Sequence, residues 1–481
     1  MGKTGLYLCY FCIYSLAVLI VGKSSINGEE SVSEYFTCRR TLSLPRCVCT
    51  FAGTWVSAIT ILSLTGSVYE DGLSVILYSV VPWFLGAFIL ATVSSRIYEQ
   101  DIVTVPELFY KRYGSRGLQV TYGAIFIFVY VFYLVSQYKG FGIVASAVFN
   151  IPYPVGVAMV YLFIIYTTFG GYRSVVRTDV FHLILLLLGI AAVLLTVISK
   201  VGGMGELYRK ASEIAGAAHD GPVYAMEPGD MLSLFGGRYT PLVSLSMFWG
   251  WGLGLAANPQ YIVRVLSARD KRTAGRTVLA ALLVLVAVYF GLLHIGLGLR
   301  VLVPHIDAAM ATDSIFVRLI NHELYGPWSG FFLFAVIGAC ISTANSQLLL
   351  IASSFSYDIV GGLSKKPVPE HKTVTLGRLA VLGGGTLAMI LTLRPPLFTL
   401  SYGGDLWGII SILFFPPLYG TLLCCRITVR GLRACLLTGV AAIAVLYPLH
   451  YAGTLTMHPA MLATPLTAGC LWLFSREGDK A

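Results

Sequence analysis

The sequence predicts an all-α integral membrane protein of thirteen spans, within which two five-span units lie in opposite orientations. Three observations predict it. Hydrophobic residues make up 57% of the chain and charged residues 12%, half the roughly 25% usual in soluble proteins. The apolar residues fall into thirteen stretches near the ~20 residues that cross a bilayer. Lys and Arg concentrate in alternate connections, which is the positive-inside pattern.

The spans lie at 5–22, 47–68, 73–95, 118–146, 151–171, 178–199, 241–262, 277–299, 328–354, 376–394, 397–423, 431–450 and 455–474. With the N-terminus outside, the inner connections hold Lys23, Arg39, Arg40, Arg46, Arg96, Lys111, Arg112, Arg116, Arg173, Arg177, Arg264 and Arg269, and further on Lys365, Lys366, Arg426 and Lys480. Lys200, Arg209, Arg238, Arg300 and Arg318 are among the few outside. This bias, roughly three to one, sets the C-terminus inside. The +10 net charge therefore reports orientation rather than a nucleic-acid partner. The first span ends Leu-Ile-Val-Gly-Lys with positive charge beyond it, which favours a retained helix over a cleaved signal peptide. Outer connections at 202–240 and 304–327 carry Asp220, Asp313 and Glu323, and read as solvated caps or as gates over an outer vestibule. Cys47 and Cys49 have no second pair or His at zinc spacing, and Cys425 and its fellows in apolar spans offer no disulfide framework.

One span is unlike the rest. The ninth carries Ser342, Thr343, Ala344, Asn345, Ser346 and Gln347 in succession, a polar run that lipid does not tolerate unless it faces protein, water or an ion. Its hydroxyls, with the Ala339 carbonyl one turn before Thr343, form an oxygen set suited to a hard cation. Back-bonding of Ser and Thr to the preceding turn is the alternative. The second span is interrupted by Gly53, Ser57, Thr60, Ser63, Thr65 and Gly66, and the seventh by Gly250, Gly252, Gly254, Asn258 and Pro259. They are five spans apart, so 47–199 and 241–423 read as inverted repeats whose first helices break at the midplane. The span at 5–22 precedes them and two at 431–474 follow, all within a single transport domain over 1–481. Glycine that merely permits close helix packing is the competing account.

Five pieces carry a resemblance: Ser33-Glu34-Tyr35-Phe36; Thr54-Trp55-Val56-Ser57-Ala58; Gly170-Gly171-Tyr172-Arg173-Ser174-Val175-Val176-Arg177-Thr178-Asp179; Trp251-Gly252-Leu253-Gly254 with Pro259-Gln260 and Arg264; and Ile341-Ser342-Thr343-Ala344-Asn345-Ser346-Gln347-Leu348-Leu349. In this order they resemble the sodium/solute symporter family, which includes proline, pantothenate, sugar and monocarboxylate carriers. The resemblance implies a leucine-transporter-type fold and sodium as the coupling ion. It places sodium among Gly53, Val56, Ala339, Ser342 and Thr343, and Asp179 on the inward release path, where a helix N-cap is the simpler reading. It lines the solute cavity with Trp251, Leu255 and Pro259. A packing Trp competes for Trp251, and Leu255, where the proline carriers have an aromatic hydroxyl, argues against proline.

Two intramembrane charges stand apart. Lys139 either balances a carboxylate solute or snorkels outward. Asp405 either partners Lys139, contacts solute or lies near the outer mouth. Together these features imply a plasma-membrane symporter for sodium and a small organic solute, foremost a carboxylate such as pantothenate or a monocarboxylate. A proline-like amino acid or a sugar is the alternative, with sodium or protons as driver. Its partners are that solute, the ion and the bilayer, with no nucleic acid and no obligate protein partner evident. An enzyme would need HExxH, GxSxG or a P-loop, and none appears. A sensor would need a signalling domain after 474.

Overall fold

The computed structural model describes all residues except 1, 23–30, 219–224, 237–238, 308–309, 327–328, 397–398, 425 and 477–481. Lys23, Asp220, Arg238, Cys425 and Lys480, counted above, lie outside the described residues. The chain is built from helices: α1 (Lys3–Gly22), α2 (Val32–Thr37), α3 (Leu44–Trp55), α4 (Leu64–Asp71), α5 (Val81–Glu99), α6 (Val105–Tyr113), α7 (Arg116–Phe149), α8 (Tyr153–Phe169), α9 (Gly171–Val201) and α10 (Met204–Ser212). There follow α11 (Pro241–Met247), α12 (Leu253–Ala256), α13 (Pro259–Leu266), α14 (Lys271–Leu302), α15 (Thr312–His322), α16 (Ser329–Ser353), α17 (Gly361–Leu363), α18 (Glu370–Thr392), α19 (Thr399–Leu423), α20 (Val429–Tyr451) and α21 (Ala460–Arg476).

Among the described residues nine helices are long and apolar enough to cross a membrane, and α3 with its continuation through 74 makes a tenth, bent by 61°. The apolar stretches Tyr153–Ile165 and Ala460–Ser475 are shorter. The seventh predicted span is cut into α11, a π-helical turn at Phe248–Gly252, α12 and α13.

Local chemistry fixes the helix ends. Thr104 caps α6 by accepting from the Glu107 amide, Ser115 caps α7 through Leu118, and Asp270 caps α14 through Thr273, each supplying an acceptor to an otherwise unpaired N–H. The sixth predicted span begins earlier than expected, at Gly171, whose φ of +67° suits glycine. Asp179 is thus two turns inside α9 rather than at its N-cap.

The centre of the bundle is α16, buried along its whole apolar window. It packs on α7, α9, α18 and α3. Close approach to the seventh span depends on small residues. A Cβ at Gly86 of α5 would lie 2.1 Å from the Gly252 carbonyl oxygen, so these backbones touch.

Candidate ion and solute site

The first break follows Trp55. Val56 is extended, at φ −77° and ψ 102°, which turns its carbonyl off the helix axis, and the chain resumes through a π-helical stretch, Ile59–Ser63. Backbone groups released in a membrane need partners, and three other helices supply them. The Ala58 amide donates to Gln137 Oε1 of α7 at 3.1 Å, while the Thr54 carbonyl accepts from Thr343 Oγ1 of α16 at 3.1 Å and from Gln260 Nε2 of α13 at 3.0 Å.

The second break falls at Ala257 and Asn258. Asn258 is extended and its side chain accepts from the Gln260 amide at 2.9 Å and from the Tyr130 hydroxyl at 2.6 Å. Pro259 opens α13, where its missing N–H costs nothing. Gln260 therefore joins the two breaks directly, its amide group reaching both the carbonyl and the hydroxyl of Thr54.

Next to the first break lies a buried oxygen cluster. Ser342 Oγ donates to Asp179 Oδ1 at 2.6 Å, and Thr50 Oγ1 donates to Oδ2. Gly53 makes the approach possible: a Cβ there would meet the Asp179 carbonyl oxygen at 3.3 Å and Ser342 Oγ at 3.5 Å. Ala339 lies one turn before Thr343 on buried α16. The structure thus brings Gly53, Ser342, Thr343 and Asp179 together at the break that Val56 forms. Hydroxyls, a carboxylate and off-axis carbonyls are hard donors of the kind alkali and alkaline-earth cations take.

Arg264 was placed in an inner connection by the sequence reading and is instead fully buried in α13. It donates to the Gln260 carbonyl at 2.7 Å and to Ser346 Oγ, stands 3.9 Å from Asp179 Oδ2, and lies over the Tyr172 ring. A usable signal was present: Gln260 and Arg264 are four residues apart on one face, as are Thr50 and Thr54 on α3. Thr50, Gln260 and Arg264 complete the cluster, and Arg264 falls outside the seventh span only because hydropathy ends that span at 262.

The predicted solute residues line the second broken helix. Trp251 is fully buried, edge-on to Trp83 at 4.7 Å between ring centres and tilted against Trp407 at 5.5 Å. Its indole N–H has no hydrogen-bond acceptor among the described residues. Leu255 is also fully buried, and Pro259 bounds a small cavity of about 20 Å³ shared with Tyr172, Arg264 and Ser346. Lys139 and Asp405 hold different partners. Lys139 donates to Asp313 Oδ2 at 2.5 Å and to the Pro396 carbonyl at 2.8 Å. Asp405 Oδ2 accepts from the Tyr451 hydroxyl at 2.5 Å, and its Oδ1 is 3.5 Å from His458 Nε2.

Comparison with known proteins gives this geometry its context. A sodium/proline symporter of Staphylococcus aureus is 26% identical over 417 residues, covering 84% of this chain and 78% of the relative. A solved Na+-coupled sialic acid symporter, in a substrate-bound outward-open state, superposes with a TM-score of 0.79 at 17% identity over 98% of both chains. A nucleobase-cation-symport-1 family transporter in a closed conformation superposes with a TM-score of 0.59 at 13% identity, over 94% of this chain and 96% of the other. The fold is therefore of the leucine-transporter type, and these relatives are transporters, not enzymes. The model of the sodium:solute symporter family matches residues 35–439, so this multi-pass membrane protein belongs to that family and couples solute transport to Na+.

Proposed function

We propose that the protein imports a small carboxylate-bearing solute with sodium across the plasma membrane by alternating access. The supporting observation is the meeting of two broken helices, bridged by Gln260, with the Asp179–Ser342–Thr343 cluster on one side and buried Trp251 on the other. In this reading sodium is held by the carbonyls of Gly53, Val56 and Ala339 and the hydroxyls of Ser342 and Thr343. Asp179 exchanges its hydroxyl partners as the ion leaves inward. Trp251 and Leu255 enclose the apolar body of the solute, and Pro259 marks where free amides can meet its polar head. Each sodium moved down a potential of about 100 mV contributes about 2.3 kcal/mol.

The same reading takes the chain as thirteen spans with the N-terminus outside, one domain whose 47–199 and 241–423 halves form the inverted repeats. The interrupted 241–266 region and the two shorter apolar helices supply the spans beyond ten. Within the solute class, an amino acid of the proline type stands ahead of pantothenate and other monocarboxylates, because curated relatives are sodium/proline symporters. The test is uptake into proteoliposomes of labelled L-proline, pantothenate, lactate and glucose, under an inward sodium gradient or in choline. Sodium-dependent uptake of an acid or amino acid is expected. Glucose as the sole transported compound overturns the solute class.

A further inference from the structure

The positive-inside pattern leaves few cations at the opposite face, and two of them come together. Lys3 begins α1 and Lys200 lies in the last turn of α9. Lys3 Nζ donates to the Asn321 carbonyl at 2.6 Å and Lys200 Nζ to the Glu323 carbonyl at 3.4 Å, both main-chain acceptors at the end of α15. Lys3 also lies over the Tyr325 ring, 4.8 Å from its centre. Among the described residues neither lysine forms an ion pair, so both positive charges stand without a carboxylate. Neither belongs to the ion cluster or to the residues around Trp251.

Beside them runs a groove of about 510 Å³, with Lys200 and Tyr325 among its lining residues. Its apolar walls include Val193 of α9, Ile320 of α15 and Phe331 of α16, and Thr196 lines it one turn before Lys200. From Val193 to Lys200 the helix rises about 10 Å, against a hydrocarbon leaflet of about 15 Å. Leu188 and Leu195 of α9 are 57% and 68% exposed, so this helix borders lipid. The groove therefore has the depth of part of an acyl chain and two unneutralised ammonium groups at headgroup level.

We propose that this groove is a binding site for an anionic membrane phospholipid, with one acyl chain between α9 and α16 and the headgroup phosphate between Lys200 and Lys3. Each ammonium spends one N–H on a main-chain carbonyl and keeps others for phosphate oxygens. A zwitterionic lipid offers the same chain but adds a cation where two already stand. The lipid fills the gap between the outer parts of α9 and α16, the helices whose inner parts bring Asp179 and Ser342 together. That it belongs to the outer leaflet follows from the orientation given above, whereas the site itself rests on the groove and its two lysines.

The test is photo-crosslinking of the full chain in nanodiscs of equimolar phosphatidylglycerol and phosphatidylcholine with matched acyl chains. The photoreactive p-benzoylphenylalanine is placed at Phe331 in the groove or, as control, at Leu195 on the lipid-facing surface, and adducts are identified by mass spectrometry. One lysine near an anionic headgroup is worth about fivefold, so adducts at position 331 should favour phosphatidylglycerol by at least about fivefold, while those at 195 form in near-equal amounts. Lys3→Gln with Lys200→Gln should bring position 331 to parity with the phosphatidylcholine yield retained. Thr196→Trp, at an exposed position lining the groove, should lower both adducts. If the probe at 331 prevents folding, position 196 carries it and the same lysine variants are read there. No lipid adduct in the groove while position 195 labels overturns the site. Equal adducts of the two lipids in the groove, the same preference at 195, or a preference that survives loss of both lysines overturns headgroup recognition and leaves only surrounding lipid.

Discussion

Replacing Arg264 with Met asks what balances the buried carboxylate of Asp179. The guanidinium donates to the Gln260 carbonyl at 2.7 Å and to Ser346, and is 3.9 Å from Asp179 Oδ2. Both side chains are essentially fully buried, 1% and 0% exposed, so no solvent screening reduces the effect. Removing one partner of such a pair costs about 3–5 kcal/mol. With an unfolding entropy of about 2.1 cal/mol/K per residue, that lowers Tm of the 481-residue chain by about 4 °C in choline. Sodium bound among Ser342, Thr343 and the break would stand beside the uncompensated carboxylate and be held more tightly. A tenfold gain in affinity adds about 1.4 kcal/mol of ligand stabilisation at saturation, so sodium should recover about one degree more in the variant than in the parent. Arg264→Lys keeps the charge but not the fork that reaches two acceptors, and should fall between. The assay is thermal unfolding in detergent across a sodium titration at constant ionic strength. An equal Tm loss in choline and in saturating sodium would refute the coupling between Arg264, Asp179 and the ion.

Four other outcomes follow from the same geometry. Ser342→Ala and Thr343→Ala should each raise the sodium concentration for half-maximal thermal stabilisation by about tenfold, the worth of one hydroxyl donor to an ionic partner; no change in either excludes these hydroxyls from the ion site. Trp251→Ala, which empties a fully buried volume, should cost about 3–5 kcal/mol of stability, whereas Trp251→Phe should fold and weaken solute binding, measured by calorimetry with whichever compound the uptake screen identifies. Gly66→Ala forces a Cβ to 2.2 Å from the Thr312 carbonyl oxygen and should cost about 1–3 kcal/mol, seen as a lower Tm. At the α14 N-terminus the Thr273 amide N–H, and then the Thr273 and Arg269 side chains, hold the Asp270 carboxyl below its ordinary range. Its contribution is therefore fully present above the unfolded pKa of about 3.9 and is lost as pH falls through the lower folded value, so Asp270→Ala should flatten the acid limb of the stability profile.

Much of the buried oxygen cluster was legible because polarity inside an apolar span is expensive and so has to be explained. Ser342 and Thr343 stood out against lipid, and the glycine-rich interruptions at 53–66 and 250–259 pointed to the breaks that meet there. Arg264 and Asp313 were not legible for one shared reason. Arg264 lies just past the end of an apolar stretch and Asp313 in the connection between two, and in both places hydropathy assigns the charge to water. Burial there depends on tertiary packing: α13 turns inward after Asn258, and α15 folds back over α4. Asp179 was misplaced locally for a related reason, since the positive φ available to Gly171 starts α9 two turns before the apolar stretch begins.

The charges in the core now divide by what each can exchange. Asp179 accepts from two hydroxyls, on Ser342 and Thr50, and hydroxyls can turn away to coordinate a cation. Arg264 keeps one acceptor, the Gln260 carbonyl, that belongs to its own helix and moves with it. Of this pair the carboxylate is therefore the responsive member and the guanidinium the constant one. The Lys139–Asp313 pair joins two elements instead: Lys139 sits on the long, continuous α7 and Asp313 on the shorter α15, and both side chains are buried. Of these charges, the Asp179 carboxylate beside the break between α3 and α4 is the one whose hydroxyl partners a cation can replace without parting an ion pair at hydrogen-bond distance.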